Sequence, residues 1–261
     1  MGIITISRGS MSGGKALAER VAEKLGYRCV SSEVIVEAAQ KYGISEPELS
    51  RIFDRSPTFW EMLTERKRIY LTFIQAAIFE QALQGDMVYH GNAGQELLRE
   101  VPHVLKVRLV APLELRVQYA QERHPGMDRK TAIKRIQEVD EERTRRMSYF
   151  YNVDWRDPLR YDLVIDLGKL SIESAADIVV EAAQRPEFRP TEASQQILQD
   201  LALRYQILGV LASHPQTKHL RFDVTVERGR VQLRGAVPAA VRAEARALVQ
   251  SVSGVKEVVD E

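Results

Sequence analysis

The residues with the plainest chemical potential stand near the start of the chain, in Ser7-Arg8-Gly9-Ser10-Met11-Ser12-Gly13-Gly14-Lys15-Ala16. The spacing Gly9-x4-Gly14-Lys15 fits a phosphate-binding loop, with Ala16 where Ser or Thr is usual. Glycines let the backbone curl until several N–H groups face one anion, while a helix N-terminus and the Lys15 ammonium add positive charge. Gly9, Ser12, Gly13, Gly14, Lys15 and Ala16 are therefore the candidate phosphate-cradling residues. A second concentration of charge runs from Asp128 to Tyr151, with Arg129, Lys130, Lys134, Arg135, Arg143, Arg145 and Arg146 set against Asp128, Glu138, Asp140, Glu141 and Glu142. Such a stretch reads either as a solvated helix laced by i,i+4 pairs or as a set of cations for an anionic ligand. Tyr149, Phe150, Tyr151 and Trp155 lie beside it, and packing is the favoured reading over stacking on a base. The five histidines, His90, His103, His124, His214 and His219, show no paired metal-ligand spacing, and no G-x-S-x-G occurs. Neither a metal centre nor a hydrolase elbow is expected.

These residues need a scaffold, and the flanking pattern supplies one. Ile3 to Ile6 is a buried-type strand, and Ala18, Val21, Ala22 and Leu25 share one helical face that Gly26 stops. Further strands are expected at 27–30, 87–91, 104–110 and 161–167. Helices are expected from Ser31 or Ser32 to Tyr42, from Ser45, over 58–84, 95–99, 112–123 and 128–151, and from Ser171 to Ala183. Strand and helix alternate throughout, which argues a parallel sheet covered on both faces. In such sheets ligands lie beyond the carboxyl ends of the strands, where the glycine loop, Gly91-Asn92 and Ala111-Pro112 all fall. The segment 185–192, with two prolines, reads as a linker. Beyond it the rhythm changes. A helix over 193–213, alternation from Leu220 to Val226 and from Val231 to Val237 around Arg228-Gly229, a helix over 239–252 and a last strand give the order αββαβ. That is a small α+β module near the lower size limit for independent folding.

Composition narrows the classes further. The 261 residues carry 37 Lys+Arg against 36 Asp+Glu, so no global basic field argues for nucleic-acid binding. Cys29 is the one cysteine, which allows no internal disulfide and no cysteine cluster and fits a reducing compartment. No apolar run approaches a membrane span, and no charged-then-apolar leader opens the chain. A cytoplasmic protein is expected.

From Gly2 to Ala183 the chain resembles the cytidylate kinase-like family of P-loop nucleoside monophosphate kinases. The carriers are Ile4-Thr5-Ile6-Ser7-Arg8, Ser12-Gly13-Gly14-Lys15, Ala18 to Gly26 with Glu33, Val110-Ala111-Pro112-Leu113-Glu114, Val139-Asp140-x-x-Arg143, Asp154-Trp155-x-Asp157-Pro158, Tyr161-Asp162 and Ile172-Glu173. The C-terminal part looks like a BON domain, on Val224-x-Val226, Gly229-x-Val231-x-Leu233-x-Gly235-x-Val237 and Val252-x-Gly254-Val255-x-x-Val258. The resemblance implies an α/β fold: a P-loop NTPase parallel sheet with an arginine-rich helical lid over residues 1–184, a linker over 185–192, and a BON-like module over 193–261. It implies ATP with Mg2+, whose protein ligands stay unassigned, and phosphorylation of a CMP-like acceptor. Lys15 would hold the donor phosphates; Arg123, Arg129 and Arg135 are lid candidates; Arg143 would contact the acceptor or transferred phosphate, with Asp140 orienting it. Ser31, Asn92, Arg135 and Arg143 form the candidate acceptor side. Three positions depart from the family pattern: Ala16 lacks the hydroxyl that helps hold magnesium, Ser31 stands where Asp is usual, and Asn92 stands where Arg is usual. A nucleotide-binding sensor with little turnover, coupled to the C-terminal module, is the second reading. An interaction protein acting through that module on a membrane surface or protein ligand is the third. Oligomeric state is not written in these residues.

Overall fold

The computed structural model of the chain describes residues 2–43, 66–235 and 238–260. The expected helix start at Ser45, the first part of the 58–84 helix and Val237 lie outside the described residues. Contacts divide the described chain into two units: residues 2–32 with 85–190, and residues 33–43 and 66–84 with 191–260.

The first unit is built on five parallel strands: β1 (Ile3–Arg8), β2 (Arg28–Ser31), β3 (Met87–His90), β4 (Val104–Val110) and β5 (Leu163–Asp166), ordered β2-β3-β1-β4-β5. In register, Ile3 faces Met87 on one side and Val104 on the other. All of β3 and all of β1 but Arg8 are buried, which requires cover on both faces. On one face Ile4, Ile6, Val88, Leu105, Val107 and Leu109 meet α1 (Gly14–Leu25) and α7 (Ile172–Ala183) through Leu17, Ala18, Val21, Ala175 and Val179. Gly26, at φ 69, stops α1 with its N–H on the Ala22 and Glu23 carbonyls. Ser171 caps α7 by accepting from the Ser174 N–H, as its place before the apolar run implies.

Three more helices of this unit follow strand ends: α4 (Gly94–Leu97) after β3, then α5 (Leu113–Arg123) and α6 (Arg129–Tyr151) after β4. Pro112 precedes the first turn of α5. Val117, Ala120, Ala132 and Ile136 join α5 to α6, and Met11 of the glycine loop packs against this small core.

The second unit contains α2 (Ser32–Ala39), whose first residue still belongs to the other unit, α3 (Arg66–Leu83), α8 (Glu192–Ser213), α9 (Ala239–Gln250), and strands β6 (Asp223–Glu227), β7 (Arg230–Arg234) and β8 (Glu257–Asp260). β6 and β7 are antiparallel, and β8 returns parallel to β7. Arg228 and Gly229 both have positive φ, the geometry of a two-residue hairpin turn. Val224, Val231, Leu233 and Val258 close a core with Ile207, Leu211, Ala245 and Val249. The αββαβ order matches the pattern read from the sequence. The grouping of 33–43 and 66–84 with this module differs from a linear division at 185–192, because α3 finds its densest packing on α8.

Candidate phosphate-binding site

The glycine loop joins β1 to α1 at the carboxyl edge of the sheet, as expected. Gly13 sits at φ 78 immediately before α1, a left-handed conformation that glycine adopts without penalty. A Cβ at Gly14 would collide with the Arg8 side chain, so the two arms of the loop close only over a bare Cα. The buried Ser12 hydroxyl donates to the Gly9 carbonyl at 2.8 Å and ties the loop across its base. A cleft of about 800 Å3 opens here, lined by the loop, Lys15, Tyr119, Arg123, Arg143 and Ile172.

Asp140 holds the loop from α6. One carboxylate oxygen accepts the Ser10 N–H at 2.8 Å and the other pairs with Arg116 at 2.6 Å. Arg116 also donates to the Ser10 carbonyl at 2.7 Å, so the Ser10 peptide is gripped from both ends. Arg143, one helical turn along from Asp140, donates to the Arg8 carbonyl. Its guanidinium lies over the buried Trp155 ring at 5.3 Å, and Arg108 lies over the same ring at 5.0 Å. Burial, reinforced by Arg8, Arg146 and Arg116 and opposed by Asp140, pushes Arg143 down to about 9. It still carries its proton at neutral pH, but at a cost that a nearby anion would relieve. Burial lowers Arg108 as well.

The residues expected from the sequence divide accordingly. Gly9, Ser12, Gly13, Gly14, Lys15, Ala16, Arg123 and Arg143 line the one cleft. Lys15 is 70% exposed and pairs with Glu19 one helical turn away at 3.6 Å. Asp140 orients Ser10 and Arg116 directly and acts on Arg143 through its charge. Ser31 ends β2 opposite His90, Asn92 lies two residues past the end of the adjacent β3, and the Asn92 N–H donates to the Ser32 hydroxyl at 3.3 Å. Arg135 is exposed on α6, and Arg129 is drawn onto Glu114 of α5 at 2.5 Å. Of the aromatic cluster Trp155 packs, 3% exposed and donating to Thr144 at 3.0 Å, while Tyr149, Phe150 and Tyr151 are half-buried.

Arg116 was not among the expected site residues. Its signal was legible: it shares a helical face with Ala120, so the fold carries a guanidinium on a buried stripe. Arg8 stood in the motif without a role.

A magnesium ion finds little protein ligation here. Ala16 presents a methyl group, and among the described residues no group of three His, Cys, Asp or Glu side chains is placed to hold a metal. The loop itself suits phosphate, which wants N–H donors and cations.

Residues 3–169 match the model of the cytidylate kinase-like family, and residues 199–261 match that of the BON domain. A cytidylate kinase of Methanopyrus kandleri is 30% identical over 189 residues, spanning 69% of this chain and 92% of that one. A cytidylate kinase of Methanocaldococcus jannaschii is 29% identical, spanning 69% and 96%. An uncharacterized protein of Eubacterium ventriosum shares the fold with a TM-score of 0.56 and 23% identity, over 69% of this chain and 96% of that one. The chain belongs to the cytidylate kinase-like family of nucleoside monophosphate kinases and carries a BON domain at its carboxyl end.

Proposed function

We propose that this protein transfers the γ-phosphoryl group of ATP to a CMP-like nucleoside monophosphate, with α5 and α6 forming an arginine-bearing lid. One observation supports the reading: Arg143 stands beside the glycine loop within reach of the charges of Arg8, Arg116 and Arg146, while Asp140 pairs with Arg116 and opposes the burial of Arg143. A phosphate placed beside Arg143 offsets the repulsion that the neighbouring arginines exert on it. Phosphoryl transfer requires little of a protein beyond positioning and charge stabilisation, which such a site supplies.

In this reading the loop N–H groups and Lys15 hold the donor β- and γ-phosphates. Arg143, braced by Trp155 and the Arg8 carbonyl, faces the group in transit. Arg123, at the cleft mouth, closes over the phosphates and excludes water. Ser31, Asn92 and Arg135 serve the acceptor. A magnesium ion would have to come with the ATP, where it would supply charge neutralisation at the phosphates, since the described residues offer it no cluster of ligands. The cytidine preference is drawn from the names of the relatives.

The test follows ADP release from ATP with each common nucleoside monophosphate, beside Lys15→Ala. Turnover with CMP that falls at least a hundredfold in the variant is the result expected, a loss of the size typical for one charge-stabilising group. Tight ATP binding without turnover would identify a nucleotide-responsive binding protein instead, and absence of nucleotide binding would overturn both readings.

A further inference from the structure

One face of the parallel sheet is polar. Side chains alternate along a strand. While Ile4, Ile6, Leu105 and Val107 turn to α1 and α7, Thr5 and Ser7 of β1 and Lys106 and Arg108 of β4 turn the other way, side by side in register. The segment that follows α6 supplies two buried rings to this face, Trp155 and Tyr161. The Tyr161 hydroxyl donates to the Trp155 carbonyl at 2.6 Å and stands 3.3 Å from the Ser7 hydroxyl. It thus ties the strand that feeds the glycine loop to the ring beneath Arg143. Arg108, opposite Ser7, lies 5.0 Å from the centre of the Trp155 ring and 5.8 Å from that of Tyr161, and it donates to the Trp155 carbonyl at 3.4 Å. The indole N–H donates at 3.0 Å to Thr144, which follows Arg143 on α6. The ring is therefore held from β1, β4 and α6 at once.

Arg143 needs such a platform. One guanidinium nitrogen donates to the Arg8 carbonyl, but the buried Nε has no acceptor among the described residues. Hydrogen bonds leave the tilt of the guanidinium open, and the Trp155 ring at 5.3 Å sets it. We propose that Tyr161 and Arg108 are positioning residues for phosphoryl transfer: they hold the Trp155 ring, and through it Arg143, at a fixed distance from the glycine loop. The proposal rests on the role assigned to Arg143 above. A misplacement of about 1 Å near a reacting group can cost about a hundredfold in rate, so this one hydroxyl weighs more on turnover than on stability.

The test uses the full chain. Tyr161→Phe keeps the ring and removes the hydroxyl; Arg108→Met keeps the bulk and removes the guanidinium. Each is expected to lower kcat about tenfold in folded protein with the ATP KM unchanged. A cycle with Arg143→Met shows whether they act through that residue. In its background Tyr161→Phe should cost nothing further, because the group it positions is gone. Losses that multiply overturn the proposal, as does a lowered melting temperature with kcat unchanged. A second readout needs no turnover and so separates this idea from the kinase reading. In a Trp60→Phe background Trp155 is the one indole of the chain, and pyrophosphate drawing on Arg143 should change its emission. Arg143→Met should abolish the change and Tyr161→Phe should reduce it. That pattern without turnover supports the platform while counting against the kinase. No response in the parent, or the same response in all three proteins, overturns the platform.

Discussion

At the scale of single residues, Arg143 shows what the site was built to do. Its charge is held where burial and three other arginines oppose it. In the proposed function that cost is offset by a bound phosphate. Arg143→Met is therefore expected to cut turnover by about a hundredfold to a thousandfold while the melting temperature holds or rises; a drop of many degrees would show that the guanidinium is structural. Asp140→Asn should loosen Ser10 and Arg116 together and so raise the ATP KM more than it lowers kcat. Most of this site was legible in the sequence, because glycine and lysine spacing is local chemistry and the D-x-x-R pair sits on one helix. The grip of Arg116 on the Ser10 peptide was not, because it joins positions 106 residues apart and only the fold brings them together.

At the scale of elements, periodicity located every described strand and helix, and the differences fall at the ends. The strand expected over 161–167 is shorter, Leu163–Asp166, because the Tyr161 N–H donates back to the Pro158 carbonyl at 3.1 Å, closing a 3-10 turn in place of a ladder rung. The packing partner of α3 was not legible, since a helix apolar on all sides does not say which neighbour covers which side. The pair α1–α7 makes a different kind of prediction. Glu173 receives Arg20 at 2.6 Å and Lys24 at 2.5 Å, and these bonds hold its carboxyl down at about 2. A carboxylate whose folded value lies below its free value adds stability that is complete above about pH 4.5 and lost as pH falls through about 2. Glu173→Gln should thus lower the melting temperature modestly at pH 7 in dilute buffer. The gap should shrink with added salt and close near pH 2; a gap that is the same at every pH would point to packing instead.

At the scale of the whole molecule, the chain passes from one contact unit to the other after Ser32, returns after Gln84 and leaves again after Pro190. The helix that α8 covers is thus carried by the amino-terminal side of the linker, while α8 itself lies on the carboxyl side. Cutting the backbone between Pro186 and Thr191 would not free a module. The nicked protein should elute from a sizing column as one particle, and its two fragments should separate only once denaturant melts the seam in which Phe79 stacks on Tyr205 and Tyr42 lies against Gly209. Fragments that part in plain buffer would show that the seam is weak. A gene ended at the linker would thus make a protein in which the side of α3 that packs on α8 is laid bare, Phe79 included, a substrate for chaperones and proteases.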